Sequence, residues 1–523
     1  MSDRREHDTD VPGLRPEWTE ALVRGWRGEG PSLWLTRFVV LRMLGLVYLV
    51  AFLVAANQVV PLIGSRGLTP ISLYLPAVEH HFGSFSAAFF NLPSLFWFAH
   101  SDGVLLGAMW LGVVLSAAVL CGYANSIVLS ILWLLYLSLI HVGQRWYGYG
   151  WEMQLCETGF LAIFLVPLLD GRPFPRRPPP TPVIWLFRWL IVRIMLGAGL
   201  IKLRGDACWT ELTCLYFHFE TQPIPGPLTP YFNALPHWAL AGGVLFNHFA
   251  ELVAPLFVFA PRRRLRHAAG AVMLALQVTL ILSGNLAFLN WLTIVPILAC
   301  FDDTLWRRLL PGALVRASER ARERAQASRG QGRAVAGVFG VVGLLSIFPV
   351  SNLLSSRQAM NRSFEPLGLV NTYGAFGSVG RKRYEIVFEG TRDAKPDART
   401  KWTAYAFKCK PGDPTRRPCW ITPYHLRLDW QIWFAAMGQP YQHPWTVHFV
   451  DKLLEGDEKT LSLLADNPFP DGPPRTIRAE LYRYELSPPG AATVWTRQRV
   501  SEWLPPLSKG DPRLTRFLEM NGW

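Results

Sequence analysis

The chain has 523 residues, of which 50% are hydrophobic, 13% aromatic and only 17% charged. Soluble domains carry about a quarter charged residues, so a single soluble domain, intrinsic disorder, a collagen-like repeat and a small disulfide scaffold are all excluded. The net charge of +14 is spread evenly, with 28 Lys and Arg against 20 Asp and Glu in the first 355 residues and 24 against 18 in the rest. No basic patch follows from that spread, and no nucleic-acid partner is expected. Of the 52 basic residues 43 are Arg, which reads as genome composition.

Apolar stretches long enough to cross about 30 Å of hydrocarbon fall near 36–60, 103–122, 125–142, 152–169, 183–202, 238–260, 268–283, 286–301 and 334–352. Only Gly284 and Asn285 separate the seventh from the eighth, so 268–301 is either two spans or a re-entrant hairpin. Residues 1–33 are polar and carry no cleavable signal pattern. The expected fold is therefore a polytopic α-helical membrane bundle of about nine spans, followed by a β-rich extracytoplasmic domain. Its parts are a cytoplasmic arm (1–33), the bundle (34–303), an Arg-rich connector (304–333), a last transmembrane helix (334–355) and the C-terminal domain (356–523).

Positive loops mark the cytoplasmic side. Arg24, Arg27 and Arg37 flank the first span, Arg172, Arg176 and Arg177 follow the fourth, and Arg262, Arg263, Arg264 and Arg266 follow the sixth. Eight Arg lie between Arg307 and Arg333, in a run that reads as a cationic helix on the inner leaflet or a solvated linker. The alternate loops hold single basic residues: Arg66, Arg145 and Arg204. This asymmetry puts the N-terminus in the cytoplasm and the tail outside. Cysteine agrees: Cys121, Cys156 and Cys300 lie in apolar spans, whereas Cys208/Cys214 and Cys409/Cys419 are close pairs in external segments, where disulfides form. Neither pair has the Cys-x-x-Cys spacing and clustered His of a zinc site, so no metal is expected. Lys410-Pro411-Gly412-Asp413-Pro414, between the second pair, is a turn signal that suggests a stapled hairpin.

Beyond residue 356 the pattern shortens. Arg383 to Glu389, Trp402 to Phe407, Trp445 to Val450 and Ile477 to Leu486 read as strands, and His425 to Met437 as an amphipathic helix. Eight Trp in this tail exceed the needs of a small core, so Trp430, Trp433, Phe434 and Trp445 are candidate client-binding residues. Arg427 and Asp429 read as a structural pair.

Ionisable residues at membrane depth cost roughly 2.5–3.5 kcal/mol each and usually face inward. Here they are Glu152, Glu157, Arg188, Arg193, Lys202, His248 and Glu251, with Asn247, Gln277, Asn285 and Asn290 adding uncharged polarity. His248 and Glu251, three apart, share a helix face. The cluster reads either as interhelical pairing or as a reaction centre in which Lys202, a buried amine, acts as base with His248 and Glu251. No phosphate-binding, dinucleotide or zinc-hydrolase motif is present.

Several blocks resemble the lipase maturation factor family. They are Gly143-Gln144-Arg145-Trp146 to Trp151-Glu152-Met153-Gln154-Leu155, Gly197 to Asp206 continuing to Cys208-Trp209, Phe219-Glu220-Thr221-Gln222-Pro223, Asn247-His248-Phe249-Ala250-Glu251-Leu252, Gly284-Asn285-Leu286 to Thr293, and Pro423 to Phe434. The likeness runs from about 35 to 505. It implies a polytopic membrane protein that helps secreted lipases fold and assemble, with clients held by the C-terminal domain and no cofactor. Eukaryotic relatives reside in the endoplasmic reticulum. The Arg-rich composition and the missing retention motif suggest a bacterial member, with the tail in the periplasm. Ala198 to Leu203 more distantly resembles vitamin K-dependent γ-carboxylase, where the lysine matching Lys202 deprotonates a reduced quinone. That likeness implies the alternative of a membrane enzyme acting on a quinone or lipid. Secreted client proteins and membrane lipids are the expected partners.

Overall fold

Long uncharged runs of Leu, Val, Ile and Ala must satisfy their own backbone once in lipid, and the α-helix is the way a single segment does so. The computed structural model describes residues 30–523; Arg24, Arg27 and nearly all of the expected arm lie outside the described residues. The bundle is built from α1 (Trp34–Ile63), α2 (Asp102–Cys121), α3 (Ser126–Val142), α4 (Gly150–Ile163), α5 (Thr181–Arg204), α6 (His237–His248), α7 (Arg263–Ser283), α8 (Leu289–Leu298), α9 (Arg329–Leu345) and α10 (Ile347–Leu354). Among the described residues six helical runs are long and apolar enough to cross a membrane. These are α1, α2, α5, α7, α6 extended by π and 3-10 turns to Phe257, and the joined pair α9–α10 from Arg329 to Leu354.

Three expected spans are shorter as helices. α3 has 17 residues, α4 only 14 and α8 only 10, so α4 and α8 rise about 21 and about 15 Å. The stretches 164–169 and 286–288 are not helical. Irregular backbone at depth is tolerated where protein covers it: Leu286, Ala287 and Phe288 are buried, whereas Leu168 and Leu169 are exposed, and most of α4 itself, including Glu152, Gln154, Glu157 and Thr158, is buried. Residues 268–301 form two helices, α7 and α8, tied together by Asn290 Nδ2 donating to Gln277 Oε1 at 2.9 Å.

The Arg-rich loops gather at one end of the bundle. Asp303 closes that end: its carboxylate accepts from the backbone N–H of Trp34 (3.0 Å), Leu35 (3.0 Å) and Thr36 (3.1 Å). It thereby satisfies three of the N–H groups that the first turn of α1 leaves open. Nearby, Arg266 donates to Asp302 (3.0 Å), Arg188 to the carbonyl of Ala299 (2.8 Å) and Arg37 to that of Arg177 (2.8 Å). The connector contains a helix at Gly312–Glu323.

The tail is mixed α and β. A four-stranded antiparallel sheet runs in the order β2 (Thr403–Ala404), β1 (Arg383–Thr391), β3 (Thr476–Leu486), β4 (Trp495–Ser508), and two helices, α11 (Arg427–Ala435) and α12 (Trp445–Glu455), accompany it. Its core centres on Phe388, stacked edge-on against Phe449 and Trp503. β1, β3 and α11 fall where the residue pattern puts them. Trp445 to Val450 is helix and not strand, because these residues are buried all round, and burial outranks intrinsic strand preference. Of Trp402 to Phe407 only two residues pair as a strand. The Cys409–Cys419 segment is a loop without flanking strands, since Phe407 bridges to Leu464 instead. β4 escapes the strand pattern because it holds Pro505 and Pro506, tolerated only on an edge.

Asp303→Ala strands buried N–H groups at the start of α1, each costing about 1–3 kcal/mol. The thermal unfolding midpoint in detergent is expected to fall accordingly; an unchanged midpoint would mean that water already serves this end.

Candidate functional site

The tail docks on the other end of the bundle, against the loops that are poor in Arg. Gln58 near the end of α1 donates to the carbonyl of His425 (2.8 Å) and accepts from the N–H of Arg427 (3.0 Å). Asn285, in the α7–α8 turn, accepts from the N–H groups of Ile421 and Thr422 (both 3.0 Å) and donates to the carbonyl of Cys419 (2.9 Å). Arg383, the first residue of β1, donates to the carbonyls of Glu220 (2.9 Å), Gln222 (2.5 Å) and Pro223 (3.0 Å). Arg381 reaches Asp206 at 2.9 Å.

Two buried charge networks cross this junction, both centred on α4. Glu152 in its first turn accepts from Arg427 of α11 at 2.8 Å and from the Tyr136 hydroxyl, and Arg427 also donates to the carbonyl of Trp146. One turn on, Glu157 pairs with Arg193 of α5 and accepts from the Asn371 N–H (3.0 Å) and the Tyr373 hydroxyl (2.6 Å). Arg193 donates in turn to the Asn371 carbonyl at 2.7 Å. A carboxylate buried this deeply survives only when paired and hydrogen-bonded. The polar cluster at Glu152, Glu157, Arg193, Asn285 and Asn290 thus divides: the first four hold the tail, and Asn290 holds α7 to α8. Arg427 and Asp429 do not pair with each other, for Asp429 accepts from the N–H groups of Cys409 (2.7 Å) and Lys410 (2.9 Å).

Lys202, Glu251 and Asn247 do meet. Lys202 Nζ lies 2.5 Å from Glu251 Oε1 and 3.3 Å from Asn247 Oδ1, and Asn247 donates to Glu251 Oε2 at 2.9 Å. His248 is not part of this triad, since its Nε2 faces the carbonyl of Trp209 at 3.0 Å. The arrangement is a closed ion pair with its hydrogen bonds filled, stacked under the Trp209 ring. It joins α5 to the end of α6 and its π turn. The cysteine pairs are within disulfide reach, with Cα atoms 4.7 Å apart for Cys208–Cys214 and 5.7 Å for Cys409–Cys419.

Between tail and bundle lies a cavity of about 390 Å³. Tyr149, Gly150, Trp151 and Gln154 line it from the start of α4, Ile194 and Ala198 from α5, Met360 and Phe376 from the linking segment, and Trp430, Trp433 and Phe434 from α11. Of the four aromatic candidates, Trp430 and Trp445 are buried, Trp445 against Trp146. Trp433 is half-buried with its indole N–H on the Thr221 carbonyl, and Phe434 stands exposed at the rim. Residue type alone could not separate these roles. The residues that escaped notice, Gln58, Tyr136, Asn371, Tyr373 and Arg383, carry no periodic signal of their own.

His425 sits in an aromatic cage of Tyr149, Trp151 and Trp430. Burial, with Arg427 alongside, holds it well below the usual imidazole range, and burial plus Lys202 pushes His218 down to about 4. Both are neutral when folded and bind protons on unfolding once the pH is under about 6.5. Stability is therefore complete above that pH and declines as pH falls from about 6.5 toward about 4. Unfolding midpoints measured across this window are expected to drop on acidification, with a shallower slope for His425→Phe. Arg427→Ala leaves Glu152 buried and unpaired, and is expected to destabilise the docked tail by about 3–5 kcal/mol. Faster protease cleavage within 356–382 would report it, and the paired change Glu152→Gln/Arg427→Met should recover much of the loss.

Comparison with known proteins follows this architecture. The lipase maturation factor transmembrane domain matches residues 35–308, and the lipase maturation factor C-terminal domain matches 369–505. The chain is 49% identical to lipase maturation factor 1 of Bos taurus, over 92% of this chain and 90% of the bovine protein. It is 44% identical to lipase maturation factor 1 of Homo sapiens, over 99% and 96%, and 30% identical to lipase maturation factor 2 of Mus musculus, over 91% and 83%. No solved structure matches. Bundle and docked tail match in order and over nearly their whole length, so this integral membrane protein belongs to the lipase maturation factor family.

Proposed function

We propose that the protein is a membrane-anchored maturation factor, which assists folding or assembly of secreted lipases through its tail. One observation carries the reading: likeness to lipase maturation factor 1 proteins runs through both halves at 44–49% identity over 92–99% of the chain. The client-facing surface on this reading is the exposed apolar edge at the end of α11 and in the turn after it. Phe434, Met437 and Tyr441 stand 36%, 58% and 75% exposed there, and apolar patches rimmed by polar residues mark interaction sites. Trp430 and Trp445 anchor the tail instead. The γ-carboxylase-like alternative has no support in the comparisons.

The orientation proposed has nine crossings, with 34–303 as the bundle, 304–333 as a cytoplasmic connector, 334–355 as the last crossing and 356–523 as the external domain. Successive loops alternate between the Arg-rich end and the tail end, which supports the odd count. Both cysteine pairs lie on the tail side, which suits an oxidising compartment. The vertebrate relatives fit the endoplasmic reticulum lumen and lend no support to a bacterial inner membrane.

Co-expression with a secreted lipase, in cells deprived of their own maturation factor, tests the function. Secreted lipase activity per unit mass is expected to be restored by this chain and lost with Met437→Glu/Tyr441→Glu, although that variant stays folded and in the membrane. Full rescue by the variant would remove the patch. Of the three free cysteines among the described residues only Cys121, at the end of α2, is exposed. A membrane-impermeant maleimide is expected to reach it from the cytoplasmic face alone, and labelling from the extracytoplasmic face alone would reverse the orientation.

A further inference from the structure

The cavity between tail and bundle has walls of two kinds. Ile194 and Ala198 belong to α5, a helix long and apolar enough to cross a membrane. Ala198 lies six residues before the tail-side end of α5 at Arg204, about 9 Å down the helix axis. The facing wall is the aromatic edge of α11. No Asp, Glu, Lys, Arg or His lines the space. Of its polar side chains, Gln154 donates to Thr293 Oγ1 at 3.2 Å and Asn361 Oδ1 accepts from the Gly374 N–H at 3.2 Å, while the buried indole N–H of Trp430 has no partner.

The backbone around it is held in a costly shape. Asn361 (φ 51°) and Phe376 (φ 54°) line the cavity, and Ala287 (φ 50°) lies between the lining residues Leu286 and Leu289. A left-handed conformation is uncommon outside glycine and an outlier for a bulky ring. Such strain persists where the surroundings enforce it and gathers at ligand sites.

We infer that this cavity receives the acyl chain of a bilayer lipid. Its volume lies within the range of ligand pockets, and its lining is mostly apolar. A polypeptide entering it would bring backbone N–H and C=O groups that find few partners, at a cost of several kcal/mol each in an apolar setting. A hydrocarbon chain brings none. The lipid chain would wedge between α5 and α11, so that the tail reads the presence of a membrane at its own docking surface. The inference rests on α5 crossing the membrane and not on the identity of any client.

The test uses the full chain in nanodiscs containing a phosphatidylcholine with a diazirine near the middle of one acyl chain. After photolysis, label is expected on peptides covering 360–378 and 427–435, besides the outward-facing Leu245 and Leu344. Ala198→Trp, which fills the cavity, should remove the label from the first two regions and leave it on Leu245 and Leu344. If that variant undocks the tail by protease mapping, Ala375→Leu makes the same test from the other wall. Label confined to outward-facing helix residues, or cavity label unchanged in a docked filling variant, overturns the inference. Suppression of the cavity label by an added unfolded lipase, in place of lipid, overturns it also and assigns the space to client chain. Because lipid labelling needs no client, its failure leaves the maturation reading standing, and failure of lipase rescue leaves this one standing.

Discussion

Two carboxylates on one short helix hold the molecule together. Glu152 and Glu157 sit in α4 with no exposure to solvent, and a lone charge so placed would cost several kcal/mol or more. Each is answered by groups from elsewhere in the chain: Arg427 from the tail for the first, Arg193 with Asn371 and Tyr373 for the second. Glu152 takes its countercharge from the tail, whereas Glu157 is paired within the bundle and gains further hydrogen bonds from the tail. The need for partners therefore fixes where the tail lies, and a pairing that is poor as a source of net stability becomes effective as a source of position.

Everything else at the junction follows from that placement. Once α11 is held over the start of α4, the carbonyls of 220–223 meet Arg383, and the turn at Asn285 caps the backbone of 419–422. Small residues on α5 allow the linking segment to lie close: a Cβ at Gly197 would fall 2.2 Å from the carbonyl oxygen of Tyr373, and one at Gly205 2.2 Å from that of Gly377. Aromatic rings then close most of the remaining space without filling it, and the cavity is what is left between two rigid surfaces. The opposite end needs no such fit. There Asp303 and the Arg-rich loops satisfy helix termini with hydrogen bonds to backbone, which suits a face in contact with water and lipid headgroups.

The exposed apolar surface has a physical logic of its own. Trp430 and Trp445 bury large rings against the bundle, where the edge-on packing of Trp445 on Trp146 adds to area burial. Phe434, Met437 and Tyr441 lie just beyond this anchored stretch and remain in the open. Rings that pin a domain and rings left exposed are thus neighbours between residues 430 and 445. A flexible methionine beside aromatic side chains suits a surface that meets partly folded chains of varied shape.

Hydropathy, a local property, carried the membrane character and the order of a helical membrane part followed by a sheet-containing tail, and charge asymmetry carried the gathering of the Arg-rich loops. Cysteine spacing carried the two close pairs, and several separated motifs carried the family. Strands β1 and β3 were legible because alternation and β-branched content are short-range signals. β4 was not, since Pro505 and Pro506 argue against a strand unless the edge is already known. The polar residues in the spans announced that partners exist but could not name them, because Glu152 and Arg427 are 275 positions apart and nothing local encodes such a distance. So Lys202 and His248 read as one centre, whereas packing gives Lys202 to Glu251 and turns His248 to a backbone carbonyl. Likewise a tryptophan-rich tail shows an excess of rings, and only the docked tertiary structure decides which become core, which become wall and which stay free.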